Sequence, residues 1–302
     1  VIQRLLILVT IISVCSCGGP VDDGRIKAVC TIAQVADVVR NVAGDRIEVV
    51  NMMGEGVDPH LYKASPADLG LLSRASVVFY NGLMLEGRMT EIFEKMQDGP
   101  KPVIAFGDSM DPGLLRSPKE FEGHHDPHIW MSVNMWADAV PTIVDALVKV
   151  DPEGEAIYRA NGDVYQKKLA DLHAWVKAQI ATIPREQRVL ITAHDAFGYF
   201  GDAYDIEVMG LQGISTVSEF GLQDLQRLID IIVERNVKAV FVESSVPAKS
   251  IEALVAGCRG KGHEVVIGGE LFSDAMGAAG TDEGTYVGMI RHNVNTMANS
   301  LK

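Results

Sequence analysis

The stretch PEGEAIYRANGDVYQKKLADLHAWVKAQIATI, residues 152–183, decides how the rest of the chain reads. Ile157, Ala160, Val164, Leu169, Leu172, Val176, Ile180 and Ile183 recur every three to five positions, the spacing of one face of an α-helix. Pro152 suits a helix start and Pro184 a stop. About thirty residues at about 1.5 Å each predict a rod of roughly 45 Å, longer than one small domain needs. Gly162 inside it costs about 1 kcal/mol relative to alanine and marks a place for a kink. The stretch, taken as 151–183, is therefore expected to be a backbone helix joining an N-terminal half, 26–150, to a C-terminal half, 184–302.

Working outward, both flanks alternate short apolar runs with helical patterns. Before the helix, strands are expected over 26–31, 47–53, 77–80 and 103–106. Helices are expected over 33–43, from Ser65-Pro66 onward, over 84–96, and from a cap at Ser132 to about 150. Between them, 107–127 is broken by Pro112, Gly113, Pro118 and Gly123 and reads as an exposed loop. After the helix, strands are expected over 188–193, 207–211, 239–243 and 264–267, with helices over 196–204, 222–236, 248–259 and 284–301. The alternation predicts an α/β fold of two lobes, each a parallel sheet flanked by helices.

The 302 residues are 47 % hydrophobic and 22 % charged, enough apolar material for two globular units. A formal net charge of −13 argues against a nucleic-acid partner, whose binding rests on Lys and Arg neutralising phosphates. At the N-terminus, Arg4 precedes the apolar run Leu5–Val9 and Ile11-Ile12, and then Val14-Cys15-Ser16-Cys17-Gly18-Gly19. That is the layout of a secretory signal, too short to span as a transmembrane helix. The cysteine segment resembles a bacterial lipobox. Residues 1–17 are expected to be a lipoprotein signal with Cys17 as the lipid anchor, and 18–25 a turn-rich linker. Cys30 and Cys258 then remain, and are expected to be buried and free.

Four positions stand out by where they fall. His60 follows the second strand, His128 precedes a helix in Asp126-Pro127-His128, His194 directly follows the first strand of the second half, and Asp274 lies just beyond its last strand. Ligands of open parallel sheets bind outside the carboxyl ends of the strands. Three imidazoles and a carboxylate meeting there would suit zinc, or manganese if the carboxylate is bidentate. Each residue also has an ordinary reading. A lone loop histidine is usually a surface or hydrogen-bonded residue, and Asp274 is as apt to cap a helix. No pair has the i, i+4 or Cys-x-x-Cys spacing of a self-evident metal motif.

A resemblance adds weight. Gly56-Val57-Asp58-Pro59-His60-Leu61-Tyr62, Tyr80-Asn81-Gly82-Leu83-Met84-Leu85-Glu86 and Asp126-Pro127-His128-Ile129-Trp130 resemble signatures of the cluster A-I metal-binding receptors of ABC transporters. So do Thr192-Ala193-His194-Asp195-Ala196-Phe197-Gly198-Tyr199-Phe200, Phe241-Val242-Glu243-Ser244-Ser245 and Glu270-Leu271-Phe272-Ser273-Asp274-Ala275-Met276-Gly277, in the same order, from about residue 26 to the C-terminus.

The resemblance implies a metal site of His60, His128, His194 and Asp274, with Zn2+ or Mn2+ as cargo. It implies an exported, membrane-anchored binding protein, periplasmic or at the cell surface, acting as a monomer. Its partners would be a membrane permease and that permease's separate ATPase subunit. His194 stands where the manganese-selective streptococcal branch usually has glutamate, which implies a nitrogen-richer site. Glu219 and Glu243 are expected to support the ligands from behind or to bridge the lobes, and His124-His125 to serve as an accessory metal collector if not simply solvated. A linking helix this rigid predicts small lobe tilts on metal release. The alternatives are a zinc-dependent hydrolase, against which stand four ligands where a catalytic zinc keeps three and a water, and a surface adhesin on the same fold. No enzymatic activity is expected.

Overall fold

The structure is a computed structural model that describes residues 24–121 and 123–302. The signal segment, Cys17 and most of the linker lie outside the described residues. In chain order, the first half contains β1 (Lys27–Cys30), α1 (Ala33–Ala43), β2 (Glu48–Asn51), α2 (Pro66–Arg74), β3 (Val77–Tyr80), α3 (Thr90–Gln97), β4 (Val103–Ala105), α4 (Val133–Asp138) and α5 (Val140–Val150). The helix α6 (Glu155–Ile180) follows. Then come β5 (Val189–His194), α7 (Gly198–Tyr204), β6 (Glu207–Gln212), α8 (Leu222–Glu234), β7 (Ala239–Glu243), α9 (Lys249–Gly260), β8 (Val266–Leu271) and α10 (Tyr286–Ser300).

The first four strands form one parallel sheet in the order β2-β1-β3-β4. The last four pair in parallel as β5 with β6 and β7 with β8, and β5 lies beside β7. The second set is thus two hydrogen-bonded pairs set side by side, β6-β5 next to β7-β8, in an arrangement that parallels the first sheet. All carboxyl ends within a set point the same way, so the loops that follow them cluster.

The helix α6 is continuous through Gly162, without the kink that residue allowed. Its buried face differs from the expected stripe in the first half of the helix. Tyr158, Gly162 and Tyr165 are buried there, whereas Ile157 is 44 % and Val164 70 % exposed. Tyr165 donates its hydroxyl hydrogen to the buried carboxylate of Asp37 (2.8 Å), and Gly162 meets α5 so closely that an added Cβ would stand 2.7 Å from Val144 Cγ2. Hydrogen bonding and close approach thus outrank side-chain apolarity in choosing the inner face. From Leu169 onward the expected stripe and the buried face coincide.

Other expectations shift as well, among them the strand expected over 264–267, which runs as Val266–Leu271. The helix expected from residue 84 begins at Thr90, because Gly82, Leu83 and Met84 take three successive positive φ values (78°, 52° and 67°) that no right-handed helix admits. The helix expected from Ser132 to about 150 is two helices, α4 and α5, and the 107–127 loop contains short 3-10 turns and ends buried at Asp126.

One apolar core runs from β1 and β3 through Leu169, Leu172 and Val176 of α6 to Phe241, Leu271 and the buried face of α10. A smaller one lies between β5, β7, α8 and α9. At about 25 cal/mol per Å2 of apolar surface, parting the halves would expose the larger core and cost a great deal. Cys30 and Cys258 are buried and free, as expected. Among the described residues no helix is long and apolar enough to cross a membrane.

Candidate metal centre

His194 is the last residue of β5, a strand buried along its whole length. Its neighbour across the ladder is crowded: a Cβ on Gly210 would stand 2.4 Å from Asp195 N, so only glycine lets β6 pair with this end. Asp274 lies three residues beyond β8. His60 and His128 come from irregular segments instead. In each, an aspartate two residues earlier accepts the histidine amide, Asp58 Oδ1 at 2.9 Å and Asp126 Oδ1 at 3.0 Å, which closes a tight turn over the intervening proline.

The four side chains meet. One donor atom from each of His60, His128, His194 and Asp274 lies within 4.8 Å of all the others, and all four residues are buried. His60 Nε2 is 3.4 Å from His128 Nε2 and 3.7 Å from Asp274 Oδ2. Asp274 Oδ1 is 3.3 Å from His128 Nε2, and Asp274 Oδ2 is 3.4 Å from His194 Nε2. Donors about 2.1 Å from a tetrahedral ion stand about 3.4 Å apart, so the spacing fits a metal without rearrangement. Both carboxylate oxygens face imidazoles, which also suits five-coordination. Neither oxygen of Asp274 nor Nε2 of His194 has a hydrogen-bond partner among the described residues. Buried polar atoms left in this state cost several kcal/mol unless something binds them.

Carboxylates behind the rings set their orientation. His128 Nδ1–H donates to Asp126 Oδ1 at 2.7 Å, and Glu243 Oε2 lies 2.5 Å from His194 Nδ1 while its Oε1 accepts the His194 amide at 2.7 Å. The Asp126 bond fixes the tautomer of His128 so that Nε2 is presented to a metal, while Glu243 holds the His194 amide and sets its charge beside the ring. Burial pushes His60 down to about 3. Burial also disfavours the protonated forms of His128 and His194, but nearby carboxylates outweigh it. Asp126 and Asp274 lift His128 to about 9, and Glu243 and Asp274 hold His194 well above the usual range. Asp274 is burdened by burial yet held well below the usual carboxylate range by His194 and His128. A histidine in water titrates at about 6.5, so in this site His128 holds its proton to higher pH.

The remaining sequence candidates lie elsewhere. Glu219 is solvent-exposed ahead of α8. His124 is exposed, its ring 5.3 Å from that of Phe121, and His125 Nδ1 is 3.0 Å from Ser117 Oγ. Sequence reasoning missed Asp58 and Asp126, although the repeated Asp-Pro-His tripeptide was a visible signal for both. It also missed Gln34 and Trp130, whose side chains both reach the Ser273 carbonyl from the opposite half and carry no metal-site signature in sequence.

Residues 28–300 match the family model described as zinc-uptake complex component A periplasmic. The chain is 46 % identical over 280 residues, 93 % of its length and 91 % of the relative's, to the manganese-binding lipoprotein MntA of Bacillus subtilis. It is 44 % identical over 279 residues, covering 92 % and 90 %, to the zinc-binding protein TroA of Treponema pallidum. The solved structure of that periplasmic zinc-binding protein superposes with a TM-score of 0.89, covering 92 % of this chain and 99 % of TroA. The metal ABC transporter substrate-binding lipoprotein SloC of Streptococcus mutans is 30 % identical over 284 residues, covering 92 % and 91 %.

Proposed function

The chain belongs to the zinc-uptake complex component A periplasmic family, and from that premise we propose that it captures one divalent transition-metal ion and delivers it to an ABC transporter. The ligands are His60, His128 and His194 through nitrogen and Asp274 through oxygen. The observation that carries this is the convergence of four buried donor atoms, spaced as a tetrahedral ion requires, one of them from a carboxylate that makes no hydrogen bond to any described residue. Zinc and manganese are the candidates, since relatives are named for each. Three nitrogens favour zinc in intrinsic affinity, while a bidentate Asp274 accommodates manganese.

Glu243 and Asp126 orient His194 and His128, and Glu219 has no part in the ligand set. The protein works as a monomer held to a membrane through a lipid on Cys17, outside the cytoplasm, and docks on a permease served by a separate ATPase subunit. The units are the lobes 26–150 and 184–302 with 151–183 between them. The core they share favours small tilts on metal release over a wide hinge. Four protein donors fill a tetrahedral shell, where a zinc hydrolase would leave one position to water.

Competition titration of metal-free protein with zinc and manganese tests the reading. One tight site per chain is expected. Because losing a supporting residue already costs 10–100-fold, Asp274→Ala should weaken binding by more than about a hundredfold. Failure to bind either metal stoichiometrically would sink the proposal.

A further inference from the structure

Asp274 is aimed by its backbone, and that backbone is gripped from both halves of the molecule. We propose that Gln34 and Trp130, both from the half preceding α6, are positioning residues that hold Asp274 in the metal's coordination shell. Metal retention then depends on the two halves staying docked. The inference rests on the reading of Asp274 as a metal ligand.

Each carbonyl from Phe272 to Ala275 accepts a side-chain hydrogen bond. Asn293 Nδ2 donates to Phe272 O (2.7 Å) and Ser244 Oγ to Ala275 O (2.8 Å), both from the same half as the loop. The middle two carbonyls are served from the other half. Gln34 Nε2 donates to Ser273 O and to Asp274 O, each at 3.1 Å, and Trp130 Nε1 donates to Ser273 O at 3.0 Å.

Gln34 lies in the first turn of α1, fully buried, and its Oε1 has no partner among the described residues. Its NH2 end alone therefore fixes the side chain. Trp130, also fully buried, follows the ligand His128 by two residues, with the two rings 5.3 Å apart. The segment that carries one ligand thus grips the loop that carries another.

The Asp274 oxygens themselves lack hydrogen bonds to any described residue. The imidazoles face the carboxylate at 3.3–3.7 Å without a hydrogen bond of good geometry, so the placement of peptide 273–274 sets where its oxygens stand. A shift of about 1 Å there would take an oxygen out of the roughly 2.0–2.2 Å bonding range while the three imidazoles stay in place. Separating the halves would break the hydrogen bonds at Ser273 O and Asp274 O and leave those at Phe272 O and Ala275 O intact.

The test uses Co2+ as a spectroscopic probe and stopped-flow transfer of Zn2+ to excess chelator, in wild type, Gln34→Leu, Trp130→Phe, Asp274→Ala and Gln34→Leu/Asp274→Ala. The Co2+ absorption bands of Gln34→Leu should move toward those of Asp274→Ala, and zinc release should quicken about tenfold or more. Without Asp274, Gln34→Leu should change release by less than about twofold, because its effect passes through that residue. Trp130→Phe keeps the ring, removes the N–H and should shift the bands in the same direction. It also provides the answer if Gln34→Leu does not fold. Loss of global stability alone would leave the Co2+ bands in place. Wild-type bands and release rates in both variants, or equal acceleration with and without Asp274, would overturn the clamp while leaving the metal site standing. A wild-type protein that takes up neither Co2+ nor Zn2+ would overturn the site and the clamp together.

Discussion

Asp58-Pro59-His60 and Asp126-Pro127-His128 are one tripeptide used twice, and in both the first carboxylate accepts the amide of the histidine. They differ in what else the aspartate does. Asp126 Oδ1 also takes the Nδ1–H of His128, fixing the ring and favouring its protonated form. Asp58 instead offers Oδ2 to the Thr216 hydroxyl (2.6 Å), which belongs to the opposite half. His60 keeps its place through the turn, and burial leaves its ring neutral. One local motif thus yields a donor oriented by a carboxylate and a donor whose turn is tied across the interface. Ring orientation and inter-half attachment are separate jobs that the same residue type can do.

The contrast breaks most visibly at the two aspartates. Asp126→Asn should lower zinc affinity about 10–100-fold by replacing the carboxylate that supports the His128 ring with a neutral, weaker acceptor. Asp58→Asn removes at most one part-buried hydrogen bond across the interface, worth about 1 kcal/mol or roughly fivefold. Competition titrations in which the two variants lose affinity equally would erase the distinction.

Protonation gives the next effect in size. A protonated imidazole cannot bind metal, and His128 carries its proton up to about pH 9 in the metal-free site. Binding below that pH must expel it, so zinc affinity should fall about tenfold for each pH unit of acidification per proton displaced. His60 contributes no such slope above pH 3 or so. Calorimetry in buffers of different ionisation enthalpy should count at least one proton released per zinc at pH 7. Asp126→Asn should move the slope to lower pH, and a count of zero in wild type would contradict the assigned basicity of His128.

Substitutions away from both turns sharpen the comparison by separating scaffold from site. Gly162→Ala forces a methyl group against Val144 and should cost about 1–3 kcal/mol of stability with metal affinity unchanged. Val164→Ala, on the exposed face of the same helix, should alter stability by less than about 0.5 kcal/mol. Glu219→Gln should leave zinc affinity within about twofold, as befits an exposed side chain. Thermal melts alongside zinc titrations measure all three.

Much of this was legible in the sequence for identifiable reasons. Strands β3 and β7 and helix α1 sit where apolar runs and turn formers placed them, because their burial is nearly complete and alternation is the only pattern that fits. The four proposed ligands were legible as residues that follow strands or precede a helix. Other features depended on contacts no local pattern contains. The inner face of α6 turned on Asp37 receiving a tyrosine hydroxyl and on a glycine meeting α5. The late start of α3 follows a left-handed turn whose Asn81 and Gly82 amides are held by buried Glu86. Gln34 reads as an ordinary polar helix residue until the chain brings Ser273, more than two hundred positions away, against it.

A crystal of zinc-loaded protein measured at the zinc absorption edge tests the central claim most directly. One anomalous peak per chain is predicted, about 2.0–2.2 Å from Nε2 of His60, His128 and His194 and from a carboxylate oxygen of Asp274. A peak at His124 and His125, or any position that leaves Asp274 outside bonding distance, would contradict it.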